Sequence, residues 1–79
     1  MVKSYGEICE EVTNEVIRAE GKHPNWPEDI IHASAIVNEE SGELIRAALQ
    51  YYYEGGTKDE IRKEAIQTAA TCLRLLKNL

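Results

Sequence analysis

The sequence of 79 residues has no phenylalanine, only two cysteines, and nine lysines and arginines against 14 aspartates and glutamates. The two cysteines, Cys9 and Cys72, form no CxxC pair and no zinc-ligand spacing, which excludes a disulfide scaffold and a zinc finger. The net charge of −5 argues against a nucleic-acid partner. No apolar run approaches the length of a membrane span or of a signal peptide, so we expect a cytoplasmic protein without membrane contact.

Capping residues and helix-breaking residues divide the chain into three predicted helices. Ser4 and Glu7 have the spacing of a capping box, and the helical apolar pattern that follows ends at Gly21. A loop with two prolines comes next, and Pro27 fits the first turn of a second helix that runs to about Tyr53. The third helix runs from about Lys58 to the end of the sequence.

The second helix carries acidic residues beside its apolar arc. At about 100° per residue, one arc collects the apolar positions Ile30, Ala33, Val37, Leu44 and Ala48. Glu40 falls at about −80° from Ile30, between core positions, and Glu43 lies one turn further along the same edge. A carboxylate directed at a core is unfavourable unless it is paired or binds a metal. The spacing indicates either a hard-cation site with oxygen ligands or a solvated helix edge.

The third helix repeats this arrangement. Glu64 and Gln67 lie on a polar flank beside the apolar stripe, which contains Ile61, Ala65, Thr68, Cys72, Leu75, Leu76 and Leu79. A short loop containing Gly55 and Gly56 would place the second and third helices side by side. Counting from this loop at about 1.5 Å per residue puts Glu43 and Glu64 within one to two turns of each other.

Apolar residues outside these stripes predict self-association. Ile66 and Leu73 lie on the opposite side of the third helix, and the consecutive residues 51–53, all tyrosine, cannot all face one core. We therefore expect one all-α domain, residues 1–79. Its fold is predicted to be a three-helix antiparallel bundle that assembles with other copies, as a dimer or tetramer, into a larger helical bundle.

The acidic motifs resemble those of the MazG-like all-α nucleoside triphosphate pyrophosphohydrolases. Glu39-Glu40-x-x-Glu43, followed by Glu64-x-x-Gln67, is similar to the family pattern Glu-Glu-x-x-Glu and Glu-x-x-Asp. The resemblance covers about residues 28 to 79. It implies hydrolysis of a nucleoside triphosphate to the monophosphate and pyrophosphate, with Mg²⁺, or Mn²⁺ in its place, held by Glu40, Glu43, Glu64 and Gln67.

Two positions of the motifs bear on activity. Glu39 is predicted to accept the proton of the attacking water, because it lies farther from the apolar arc than the metal-binding positions. Gln67 stands where the family usually has Asp, and its neutral carbonyl is a weaker ligand for a hard cation. The alternative function is therefore a catalytically weakened or inactive MazG-like module that binds nucleotide, metal or a protein partner.

Overall fold

A computed structural model describes residues 2–79, and within this range the chain is all-helical with no strand. The three helices are α1 (Tyr5–Lys22), α2 (Ile30–Tyr53) and α3 (Lys58–Lys77). The all-α class and the three predicted helices are thus confirmed. No helix within the described range has the combination of length and apolar character that crossing a bilayer requires.

Side chains cap the start of each helix. The capping box at Ser4 is present, since its hydroxyl accepts from the Glu7 backbone N–H while the Glu7 carboxylate accepts from the Ser4 N–H. The prediction that Pro27 lies in the first turn of α2 is wrong. Asp29 is the N-cap, and its carboxylate accepts hydrogen bonds from the N–H groups of Ile31 and His32. That carboxylate satisfies first-turn donors, which a proline cannot do.

Two glycines shape the turn between α2 and α3. Gly55 has φ of +75°, a left-handed conformation that other residues adopt only with strain. Gly56 donates its N–H to the Gln50 carbonyl at 2.9 Å. A Cβ on Gly56 would lie 3.0 Å from backbone atoms of Gln50 and Tyr51. The turn therefore requires glycine at one position for its dihedral angle and at the next for close approach.

Helix α3 packs on both other helices, whereas no Cα atom of α1 lies within 8 Å of one of α2. Two ion pairs join α1 to α3, Glu11 with Arg62 and Glu20 with Lys77. On the other side, Lys58 at the start of α3 lies over the ring of Tyr51 near the end of α2. The central position of α3 leaves an open groove between α1 and α2.

The core of the chain is small. Val12, Ala33, Ala47 and Ala70 are the buried apolar residues. The predicted arc of α2 is displaced, because Ile30 is 62% exposed while Ala33 and Ala47 are buried. The buried face of α2 is therefore centred about 80° away from Ile30. This is the direction in which Glu40 points, so its carboxylate lies nearer the middle of the packed face than the sequence pattern indicated.

The apolar stripe predicted for α3 also needs correction. Its later members Leu76 and Leu79 are exposed, whereas Ala70, which was outside the stripe, is buried. Ile66 is half-buried and lines a groove with Val12 of α1. A helix between two neighbours is expected to be apolar on two sides. Packing against α1 therefore accounts for Ile66 without a second copy of the chain.

Candidate metal centre

Three glutamates from two helices lie together where α2 and α3 pack. Glu40 and Glu43 are one turn apart on α2, and Glu64 approaches them from α3. One carboxylate oxygen from each residue lies within 4.8 Å of the other two. Glu40 and Glu64 are half-buried and Glu43 is exposed. We refer to these three residues as the glutamate cluster.

Two oxygen atoms of the cluster lack a partner. Oε2 of Glu40 and Oε2 of Glu64 are buried and accept no hydrogen bond from any part of the chain between residues 2 and 79. A buried carboxylate oxygen without a donor is energetically costly. Such atoms are expected where a ligand supplies the missing interaction.

The electrostatics of the cluster agree with its geometry. Burial raises the pKa of Glu40, and the nearby carboxylates of Glu43 and Glu64 raise it further. Burial likewise raises the pKa of Glu64, followed by the charge of Glu43. Both shifts arise because negative charge is concentrated in a partly desolvated place. A bound cation would remove this repulsion.

The cluster suits a hard divalent cation. All three side chains offer carboxylate oxygens, the donors that Mg²⁺ prefers. Oxygens bound to one Mg²⁺ at about 2.1 Å lie roughly 3 to 4.2 Å apart, so small side-chain rotations from the observed separations would be enough. Waters and phosphate oxygens would complete an octahedron around three protein ligands.

A cavity of about 360 Å³ adjoins the cluster and shares Glu40 with it. Gln67, Trp26, Arg18 and Arg74 are also among its lining residues. The guanidinium of Arg74 lies 5.0 Å from the centroid of the Trp26 ring and donates to the His23 carbonyl at 2.7 Å. The cavity thus combines an aromatic ring, an amide and two cations beside the glutamates. These groups can contact a planar ring and phosphate oxygens.

The structure separates the other two predicted site residues from the glutamate cluster. Gln67 is half-buried one turn after Glu64, and its side chain lines the cavity beside Glu40. Glu39 is exposed and is not one of the three clustered carboxylates, although its charge contributes to the raised pKa of Glu40. Gln67 thus lies on the cavity side of Glu40, and Glu39 lies on the solvent side.

Sequence reasoning missed the contributions of α1 and of the end of α3. Glu15 and Arg18 of α1 line the cavity and form an ion pair with each other. Arg74 is 92% buried, which is unusual for a cation, and its Nε has no partner among the described residues. The i, i+3, i+7 spacing from Gln67 through Ala70 to Arg74 could have indicated the position of Arg74. No sequence pattern indicated that α1 would reach the cavity.

No protein-family profile, curated protein or solved structure matches this chain. The resemblance to MazG-like proteins therefore rests on the motif residues alone.

Proposed function

We propose that this protein is a Mg²⁺-dependent hydrolase that converts nucleoside triphosphates to monophosphates and pyrophosphate. The observation that carries the proposal is the pair of buried, partnerless oxygens on Glu40 and Glu64, close to the Glu43 carboxylate. When three carboxylates from two helices lie this close together, a divalent cation stabilises them by binding their oxygens. The motif resemblance supports the nucleotide as the substrate that brings further oxygens to this cation.

The reaction adds one water and breaks the bond between the α and β phosphoryl groups. Glu40, Glu43 and Glu64 would hold Mg²⁺, with the Gln67 carbonyl as a weaker fourth group. When bound, the cation supplies charge neutralisation for the phosphates and lowers the pKa of a coordinated water. Glu39 is the proposed proton acceptor, because its exposed carboxylate remains free to take the water's proton.

The cavity beside the cluster is the proposed location for the rest of the nucleotide. Arg18, which is paired with Glu15, supplies a cation to the lining of the cavity, and Trp26 supplies an aromatic ring. Its volume of about 360 Å³ is in the range of small-ligand sites. The substrate is thus proposed to span from the cavity to the cluster, with its phosphates toward Glu40.

The proposed assembly is a three-helix antiparallel bundle that works as a homo-oligomer, dimer or tetramer. Four buried apolar residues give a thin core for a chain of this size. We propose a cytoplasmic setting, where nucleoside triphosphates and Mg²⁺ are both abundant, with no nucleic-acid or membrane partner.

Gln67 favours a second candidate function, a module that binds nucleotide and metal with little or no turnover. A neutral amide in place of a carboxylate lowers the negative charge available to a second cation. A carboxylate at position 67 would strengthen the binding of a second cation, but the chain has glutamine there.

A phosphate-release panel tests the proposal. The purified protein is incubated with canonical and oxidised NTPs and dNTPs and with Mg²⁺ or Mn²⁺, and phosphate is detected with and without added inorganic pyrophosphatase. We expect phosphate only when pyrophosphatase is present, and its loss in Glu64→Gln. Glu10→Gln, an exposed residue of α1 outside the cluster, is the matched control. Binding of nucleotide without any release would favour the second candidate.

A further inference from the structure

One whole side of α2 faces solvent and carries no charge. Five large apolar side chains lie on it, each more than half exposed: Ile31, Ile45, Leu49, Tyr52 and Tyr53. At about 100° per residue they fall within one arc of roughly 100°, opposite the face that packs on α3. We refer to this arc as the outer face of α2. Exposed apolar side chains concentrated on one side of a helix indicate an interaction site.

The middle of the outer face is made of small residues. Ser34, Ala35, Asn38, Ser41 and Gly42 separate the large side chains near its two ends. Gly42 is inside a helix, where glycine costs up to about 1 kcal/mol relative to alanine. A Cβ at Gly42 would meet no atom of the chain within 4 Å. Packing within one copy therefore gives no reason for this glycine, whereas the close approach of another helix does.

The exposed area is large enough for a dimer. The chain exposes 6067 Å², while a compact monomer of 8.9 kDa is expected to expose about 4,800 Å². The excess of roughly 1,200 Å² is spread over the whole chain, including the open groove between α1 and α2. A contact that covered half of it on each of two copies would bury about 1,200 Å², the lower end of the range for specific interfaces.

We propose that a second copy of this chain packs its α2 antiparallel against the outer face, with the two-fold axis beside Ser41 and Gly42. In this register Ile31 lies opposite the partner's Tyr52, and Ser34 lies opposite the partner's Leu49, so large side chains meet small or complementary ones. The two glycines meet at the centre, where the backbones approach most closely. The inference rests on the self-association included in the proposed function, and its test measures mass, so that its failure can be told apart from failure of the proposed hydrolysis.

Charge complementarity selects the antiparallel arrangement. Glu39 and Arg46 are seven residues apart and lie along the same flank of the outer face. An antiparallel partner brings Arg46 of the partner subunit beside Glu39, and the reverse pair forms by symmetry. A parallel partner would place the two copies of this flank on opposite sides of the interface, so no such pair could form. Within the described range, neither Glu39 nor Arg46 belongs to an ion pair of the chain's own.

The partner copy would add a residue to the edge of the metal centre. Glu39 precedes Glu40 and contributes to the negative charge around it. The chain's own Arg46 already lines a cavity with Glu43 and Glu64, and Arg46 of the partner subunit would add a second cation beside Glu39. Within one chain no cation pairs with Glu39 in the described range. In this dimer, Arg46 of the partner subunit would do so.

Charge-reversal variants test the pairing of Glu39 with Arg46 of the partner subunit, and the measured quantity is the mass of the assembly in solution. Sedimentation equilibrium is run at tens of micromolar protein for the wild type, Glu39→Arg, Arg46→Glu, and an equimolar mixture of the two variants. We expect the wild type to be a dimer or a multiple of one. Each single variant should dissociate about tenfold more readily, because it opposes like charges twice. The mixture should recover the wild-type mass, since each chain complements the other, and Glu10→Arg on α1 should behave as wild type.

Gly42→Leu separates folding from association. At a dilution where the wild type is also dissociated, the open surroundings of Gly42 predict a melting temperature no lower than that of the wild type. At tens of micromolar the variant should lose the larger assembly. A monomeric wild type, or single variants and Gly42→Leu that all keep the wild-type mass, would overturn the proposal. The second result would leave self-association through another surface.

Discussion

Glu40→Gln is expected to stabilise the metal-free protein and to remove its response to Mg²⁺. The variant keeps the size of the side chain but abolishes its charge, so its repulsion with Glu43 and Glu64 disappears. Its amide also replaces a half-buried carboxylate oxygen that has no hydrogen-bond partner. Both effects favour the folded state.

The separation within the cluster sets the magnitude. The clustered oxygens lie within 4.8 Å of one another; at that upper limit two unit charges repel by about 0.9 kcal/mol in water and by about 3.5 kcal/mol at an effective dielectric constant of about 20. The exposure of Glu43 places its interaction near the lower value. We therefore expect a gain of about 1–2 kcal/mol in the free energy of unfolding, or roughly 5–10 °C in melting temperature for a domain of this size.

The dependence of stability on pH leads to the same prediction, and the pKa shifts fix its direction. Burial and neighbouring carboxylates raise the pKa of Glu40 and Glu64 above the ordinary value of 4.5. The folded chain then binds protons more tightly than the unfolded chain. The cluster is thus most favourable below about pH 4.5, and its contribution to stability is lost as the pH rises through the raised pKa values. Carboxylates with lowered pKa, such as Glu20 beside Lys77, act in the opposite direction, so only the difference between variant and wild type isolates the cluster.

Thermal melts in chelator and in millimolar Mg²⁺ provide the assay. At a metal concentration ten times the dissociation constant, the wild type gains about 1.4 kcal/mol, and Glu40→Gln should gain far less. Glu10→Gln is the matched control and should follow the wild type in both solutions. Equal melting temperatures for wild type and Glu40→Gln in chelator, with equal responses to metal, would refute the account of the cluster.

Three further substitutions test single features of the structure. Gln67→Asp should tighten metal binding in a titration, because it adds a carboxylate beside Glu40; unchanged affinity would place the position outside the centre. Gly56→Ala should lower the free energy of unfolding by about 1–3 kcal/mol through a clash with backbone 3.0 Å away, whereas Gly21→Ala, which meets no atom within 4 Å, should not. Arg74→Met should lower it by about 1–3 kcal/mol, since the His23 carbonyl loses its donor; a denaturant melt with an unchanged midpoint would contradict this role.

Local sequence patterns predicted the elements of this fold well. Capping residues and glycines located three helices. The predicted end of the second helix and the predicted start of the third agree with Tyr53 and Lys58 in the structure. The register across the Gly55–Gly56 turn placed Glu43 and Glu64 together, because helix geometry fixes the rise per residue. Pro27 was misplaced, since both a proline and an aspartate suit the start of a helix and only the capping geometry decides between them.

The packing was less predictable than the helices. Alanines such as Ala33, Ala47 and Ala70 form most of the core, and a periodicity dominated by Ile and Leu gives them little weight. Ile66 and Leu73 were read as a sign of oligomerisation. Ile66 instead lines a groove with Val12 of α1, whereas Leu73 is exposed and the self-association that it suggested stays a prediction. Which helix lies in the middle depends on tertiary contacts, and these left no periodic signal in the sequence.

Phosphorus NMR of a nucleoside triphosphate incubated with the protein tests the central claim most directly. With Mg²⁺ and the wild type, we predict that triphosphate signals are replaced by those of the monophosphate and pyrophosphate. The signals should persist in chelator and with Glu64→Gln, while Glu10→Gln should act as the wild type does. Unchanged triphosphate with wild type and Mg²⁺, or equal turnover by Glu64→Gln, would contradict hydrolysis at the glutamate cluster.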